Sequence, residues 1–240
     1  MRVFHVVFLM LFASPSWSTG MFQQHVQNTA DALTAFYMFG LSEGDQRYLD
    51  DFESYLIKAD SAISLAGEQD KQQFLERWQK LKPFLKYKSI KGMGYYLERI
   101  VQIEARTYLT DIYLHELTTS KKLPLTIDKL NELKLIISML SNRSLDIMIS
   151  NTGRAFLQEY GKQIVEEELI KDVAKILEEL AALNLTAKQN TLLNKVGIRF
   201  NFVRKKLMAS DQIVPIYIVY NNLRSVDKLL RAAQIELAVN

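Results

Sequence analysis

The stretch Asp45-Gln46-Arg47-Tyr48-Leu49-Asp50-Asp51-Phe52-Glu53-Ser54-Tyr55-Leu56-Ile57-Lys58-Ala59-Asp60-Ser61-Ala62-Ile63-Ser64-Leu65-Ala66 decides the fold class. Tyr48, Leu49, Phe52, Tyr55, Leu56, Ala59, Ile63 and Ala66 recur at steps of three and four, which gathers them on one face of an α-helix. The same steps link Phe74, Leu75, Trp78, Leu81 and Leu85, and again Leu192, Leu193, Val196, Phe200, Val203 and Leu207. No run alternates with period two for long enough to predict a strand. The chain therefore reads as all-α. Eight helices are expected, over roughly 22–41, 45–66, 69–88, 93–118, 127–160, 163–183, 187–208 and 213–237. Gly40, Gly44, Gly67, Gly92, Gly94 and Gly161 fall at the joints, and Ser120-Lys121-Lys122-Leu123-Pro124 marks the boundary between two halves.

The composition supports a packed core and removes several chemistries. Of 240 residues, 48% are hydrophobic and 24% charged, with only four prolines and nine glycines, so disorder and fibrous repeats are excluded. Without cysteine there is no disulfide, thiolate metal site or cysteine nucleophile. Three histidines make a histidine-rich metal site improbable, and a net charge of +3 with short, interspersed basic clusters does not suit nucleic acid.

Arg2 precedes the apolar run Val3-Phe4-His5-Val6-Val7-Phe8-Leu9-Met10-Leu11-Phe12-Ala13, and Ser16 and Ser18 follow. A basic start, a short apolar stretch and small residues at the exit form a secretory signal peptide over 1–18, cleaved after Ser18. The run is too short to cross a hydrocarbon core of about 30 Å, and charges interrupt every later helix. An exported chain without cysteine fits a bacterial periplasm. The processed protein is expected not to be membrane-integral.

The halves resemble each other. Val26-Gln27-Asn28-Thr29-Ala30-Asp31-Ala32-Leu33 precedes Ile149-Ser150-Asn151-Thr152-Gly153-Arg154-Ala155-Phe156 by 123 positions. At an offset of 122, Phe74, Trp78, Leu81 and Leu85 match Val196, Phe200, Val203 and Leu207. Such offsets point to a duplicated four-helix unit. The expected architecture is two tandem antiparallel helical-bundle modules, 19–122 and 123–240, with Trp78 and Phe200 at equivalent core positions.

Ala35-Phe36-Tyr37-Met38-Phe39-Gly40-Leu41, the acidic Asp50-Asp51-Phe52-Glu53, and Phe74-Leu75-Glu76-Arg77-Trp78 with Phe84-Leu85 carry a family likeness. Together they resemble the N-terminal domain of type IV pili methyl-accepting chemotaxis transducers (the PilJ type), related to sensor domains of nitrate and nitrite sensor kinases. In that family an Asn-x-Ala-Gly-Arg segment of the first helix presents its arginine to a dimer mate and to a small anion. Ser150-Asn151-Thr152-Gly153-Arg154 resembles it, with Gly153 and Arg154 matching and Ser150 in the asparagine's place. The first half carries Asp31 where the arginine would stand. The resemblance implies that two modules pairing as the family's dimer does would set Asp31 against Arg154.

On the helix through 127–160, Leu145, Met148, Ile149, Thr152, Phe156 and Tyr160 form one apolar face, and Arg154 lies opposite in a stripe with Arg143, Ile147 and Ser150. That stripe reads either as a solvated face or as one facing a ligand or partner. Arg154, Arg143, Ser150 and Asp31 are the candidate site residues. Asp111 and His115, four apart, have the spacing of half a metal site, but no second histidine completes it, so no metal is expected. Catalytic motifs are absent: no phosphate loop, no Gly-x-Ser-x-Gly, no His-Glu-x-x-His. The sequence thus suggests a non-enzymatic sensory or interaction module without a cofactor. It would serve signal transduction or chemotaxis by binding a small-molecule ligand or a membrane-bound sensor or transducer. The alternative is a structural or assembly factor of an envelope apparatus such as pili.

Overall fold

A computed structural model describes residues 15–90, 94–96, 98–119, 124–149, 166–208 and 216–238. Among them are eight α-helices: α1 (Pro15–Leu41), α2 (Gln46–Leu65), α3 (Glu68–Leu81), α4 (Arg99–Thr119), α5 (Leu125–Ile149), α6 (Glu166–Ala181), α7 (Ala187–Met208) and α8 (Ile216–Ala238). The all-α expectation holds. The apolar run from Val3 to Ala13 lies outside the described residues.

Local chemistry sets several of the boundaries. The α1–α2 turn places Glu43 at φ 57° and Gly44 at φ 94°, the left-handed region that glycine enters without a Cβ penalty. Asp45 then caps α2, accepting a 3.0 Å hydrogen bond from the Arg47 amide. At α7, Thr186 Oγ1 accepts from the Gln189 amide (3.2 Å) while Gln189 Oε1 accepts from the Thr186 amide (2.9 Å), a reciprocal capping box.

Between Leu81 and Arg99 the structure departs from the sequence expectation. The third helix ends at Leu81 rather than near 88, because Pro83 cannot donate to a continuing helix; a single 3-10 turn, Lys82–Phe84, follows. Beyond it, β1 (Lys88–Ile90) and β2 (Gly94–Tyr96) pair antiparallel, with Ser89 opposite Tyr95. The fourth helix therefore begins at Arg99 instead of 93. Strands of three residues are too short to display a period of two, so the pattern could not announce them.

α1 and α5 form the centre. From Val26 to Phe39, α1 buries Ala30, Ala32, Leu33, Ala35, Phe36, Tyr37 and Met38, which covers all sides of the helix. A helix apolar all round belongs in an interior. Leu133, Leu135, Ile136, Ile137, Met139 and Leu140 do the same for α5. The outer helices are amphipathic; α6, for example, buries Leu169, Val173, Ile176 and Leu180 at steps of three and four. Among the first four helices the contacts run α1–α2, α2–α3, α3–α4 and α4–α1; among the last four they run α5–α6, α6–α7, α7–α8 and α8–α5. α1 packs on α5, and one continuous core passes through both sets. Trp78 of α3 and Phe200 of α7 are both fully buried.

Gly40, expected at a joint, instead lies inside the last turn of α1, where a Cβ would meet the Tyr87 ring at 3.1 Å. The Tyr87 hydroxyl donates to the Phe36 carbonyl and its ring rests on Phe36, with centroids 4.0 Å apart. The glycine makes room for that anchor, which ties the segment after α3 to the central helix.

Candidate functional site

Polar side chains follow heptad spacing along the line where α1, α5 and α8 meet. They are Gln27, Asp31 and Thr34 on α1; Asn131, Lys134, Ser138 and Ser141 on α5; and Tyr220, Arg224, Asp227, Arg231 and Gln234 on α8. Steps of three and four keep each set on one stripe of its helix. Gly20 and Gln27 share a cavity with Ile127 and Lys134, and Asp31 and Thr34 share another with Ser138 and Ser141. α1 and α5 therefore run in the same direction. Gln234 lies at the first cavity and Tyr220 at the second, so α8 runs opposite to both.

The seam is an ion network joined to a carboxamide network. Arg231 Nε donates to Asp227 Oδ2 (2.7 Å), and Arg231 Nη2 lies 3.6 Å from Asp31 Oδ2. Gln27 Nε2 donates to Asp227 Oδ1 at 3.4 Å. Further along, Lys134 Nζ donates to Gln234 Oε1 (2.9 Å), whose amide nitrogen donates to Asn131 Oδ1 (2.5 Å). At the other end Arg224 pairs with Asp51 of α2 at 2.8 Å. Arg231 serves two acids at once, so the desolvation of the cluster is only partly offset.

Burial pushes the Asp31 carboxyl up to about 7, with the Asp227 charge adding to it; the Ser138 hydroxyl, Arg231 and Lys134 pull the other way. Burial, then Arg231, lowers the Lys134 ammonium below its ordinary value, while Asp227 and Asp31 oppose the shift. Tyr55 of α2 is raised to about 12, by burial first and by Asp31 second. The cavity at Asp31, also lined by Tyr55, Tyr220, Arg224 and Asp227, has a volume of about 30 Å³, enough for a water. The cavity at Lys134 has about 310 Å³ and is lined by Gly20, Gln23, Gln24, Gln27, Ile127, Asn131, Lys134 and Gln234. It can hold a small molecule.

Of the residues singled out in the sequence, Asp31 sits at the centre of this seam. Its guanidinium neighbour is Arg231, and the α5 residue beside it is Ser138, well ahead of Arg154 in the chain. Arg154 and Ser150 lie outside the described residues. Arg143 does not lie on a solvated face: it is 6% exposed and turns onto Asp146 at 3.6 Å. There Asp146 also takes Arg106 of α4 at 2.5 Å and accepts from Gln102 at 2.9 Å. At Arg143 the stripe counted on sequence turns inward, where Gln102 and Arg106 of α4 reach Asp146.

Other polar clusters hold the scaffold. His25 is buried between the Ala59 carbonyl (2.8 Å) and the Tyr108 hydroxyl (2.7 Å). Asp111 and His115 go to separate partners, Arg77 (2.8 Å) and Asp70 (2.7 Å), rather than converging on a metal. Among the described residues, no three His, Asp or Glu side chains are grouped to hold a metal ion. A cleft of about 410 Å³ between the end of α3 and the start of α4 is lined by Leu81, Phe84, Ile100, Val101 and Tyr108, with the charged Arg77, Lys80, Glu98 and Glu104 also in its lining.

Lys134, Asp227 and Arg231 were missed by sequence reasoning, although a signal existed. Tyr220, Leu223, Asp227, Leu230 and Gln234 step by three, four, three and four, so Asp227 and Gln234 interrupt the apolar stripe of a core helix. Polar residues on such a stripe need partners inside.

No protein-family model, curated protein or solved structure matches the chain. No helix among the described residues is long and apolar enough to cross a membrane.

Proposed function

We propose that the protein is an exported, non-enzymatic sensory module that reads a small polar ligand at the α1–α5–α8 seam. The cavity of about 310 Å³ bounded by Lys134 and the carboxamides of α1, α5 and α8 carries this reading. It lies in the size range of ligand sites, roughly 300–1,000 Å³. It also sits where the two four-helix sets join, so a ligand there touches both sets and can bias their packing. The matching cyclic order of contacts in the two sets fits a duplicated four-helix unit, and the likeness to the PilJ type rests on the sequence motifs alone. Export through the signal peptide at 1–18 places the module in the periplasm, beside a membrane-bound transducer or sensor. N-terminal sequencing of periplasmic material should begin near Thr19. Thermal melts against a panel of small metabolites should find one that raises Tm in the wild type and not in a Gln27→Ala, Gln234→Ala variant. A panel that leaves Tm unmoved removes the sensory reading.

The second reading, an envelope assembly factor that binds protein only, is favoured by the α3–α4 cleft. Phe84 and Ile100 stand 65% and 61% exposed at its edge. Co-purification with an envelope protein that is lost on Phe84→Ser, without any small-molecule stabilisation, would decide for it.

A further inference from the structure

Among the described residues lining the seam cavity, Lys134 is the single charged side chain. Gln23, Gln24, Gln27, Asn131 and Gln234 supply carboxamides, which both donate and accept. An ammonium has three donors and no acceptor, and Gln234 Oε1 accepts one of them at 2.9 Å. The lining thus carries positive charge and a surplus of donors. Ile127 and the aliphatic stems of the glutamines supply apolar wall, and the charged and carboxamide ends are what can orient a ligand. The cavity's volume of about 310 Å³ suits a small molecule. The complement is a small anion with a hydrogen-bonding tail.

We propose that this cavity binds a small organic acid, its carboxylate on Lys134 Nζ and its polar tail on the carboxamides, with uptake of a proton by Asp31. The proposal rests on the seam being the ligand site. The proton follows from how the cavity joins the acids. Gln27 of its lining donates to Asp227 at 3.4 Å, Arg231 sits between Asp227 (2.7 Å) and Asp31 (3.6 Å), and Lys134 adds positive charge to the field at both acids. The charged and titratable groups around Asp31 are Asp227, Arg231 and Lys134, with Tyr55, Tyr220 and Arg224 around the adjoining small cavity. A carboxylate on Lys134 cancels one of the cations that keep Asp31 ionised. Asp31, already poised near neutrality by burial, then takes a proton. Binding accordingly tightens as pH falls from 8 toward 6, while the ligand itself stays ionised.

The test uses the processed chain with acetate, L-lactate, succinate and L-glutamine, each beside its matched primary amide. At least one acid should raise Tm by about 4 °C or more at saturation, and its amide should leave Tm unchanged. Lys134→Gln should weaken that acid at least tenfold, whereas Lys134→Arg, which keeps the charge and guards against misfolding, should stay within tenfold. Titration heats in PIPES and Tris should differ in proportion to the two buffers' ionisation heats, and Asp31→Asn should erase the difference. If an amide binds as well as its acid and survives Lys134→Gln, the ligand class is wrong while the site stands. An acid whose affinity ignores Lys134→Gln binds elsewhere and overturns the proposal. Equal heats in the two buffers overturn the proton uptake. If no member of either series binds, the sensory reading falls and the proposal with it.

Discussion

His25 Nε2 and the Tyr108 hydroxyl lie 2.7 Å apart in the middle of the first four helices, and the pair fixes a tautomer. The Ala59 carbonyl, 2.8 Å from Nδ1, can only accept, so Nδ1 carries the proton and Nε2 receives the Tyr108 O–H. Burial pushes the imidazole down to about 4, which keeps it neutral in this role. Trp78 closes the cluster, stacked on Tyr108 with centroids 5.6 Å apart and donating from its indole to Asp60 at 3.0 Å. Tyr108→Phe keeps the stack and removes only the donor. Urea denaturation should show a loss of about 1–3 kcal/mol, the cost of a buried acceptor left unmet.

Stability should rise as the solution is made mildly acidic. Two acids, Asp31 and Glu116, are each raised to about 7, by burial first and by neighbouring carboxylates second. Their raised values contribute stability that is fully present below the unfolded pKa, about 4, and is lost as pH rises toward 7. His25 works in the opposite sense. Its depressed value contributes stability present above about 6.5 and lost as pH falls toward 4. Between pH 4.5 and 6.5 the folded state therefore holds one proton more than the unfolded state, worth about 1.4 kcal/mol per pH unit. Urea midpoints should increase from pH 6.5 to 5. The Asp31→Asn, Glu116→Gln double variant, which leaves His25 alone, should reverse that slope.

Asp146 should be among the most costly positions to truncate. It is 1% exposed and receives the side chains of Arg106, Arg143 and Gln102. Asp146→Ala takes from two interior guanidiniums the carboxylate they share, a loss of about 3–5 kcal/mol. Asp146→Asn keeps one carbonyl acceptor and should recover part of it. Equal melting temperatures for the two variants would show that the carboxylate's charge matters and its shape does not.

Periodicity made the helices legible because it is a local property, and it located the core residues Trp78, Phe74, Val196 and Phe200 before any packing was known. It could not locate the hairpin at 88–96, where each strand is three residues long. Nor could it orient α5. Leu145 lies on the expected apolar face and is buried, yet Arg143 and Asp146 are buried as well, because α5 is enclosed on several sides. For a central helix the polar stripe of the sequence becomes an internal network instead of a solvated surface. The same effect hid the seam. Asp31 drew attention through its place in the repeat, but its partners Asp227 and Arg231 lie on the last helix, about 200 positions away, where no local pattern connects them.

Arg231 supplies the last prediction. Its guanidinium holds two carboxylates that would otherwise repel, Asp227 at 2.7 Å and Asp31 at 3.6 Å. Arg231→Met preserves the aliphatic stem and removes the charge. Left alone, the two acids cannot both stay ionised, and folding must either protonate Asp31 or bear the repulsion. The side chain of Arg231 is 42% exposed, so solvent screening limits the loss to about 1–2 kcal/mol at pH 8 rather than the figure for a buried pair. The loss should shrink by pH 5.5, where Asp31 is already protonated. Asp31→Asn in the same chain should restore most of the stability at pH 8, which gives a coupling energy of about 1 kcal/mol between positions 31 and 231 in a double-mutant cycle. If Arg231→Met costs the same at both pH values and Asp31→Asn restores nothing, Arg231 stabilises through the packing of its stem against α1 and the charge cluster at the seam has no energetic role.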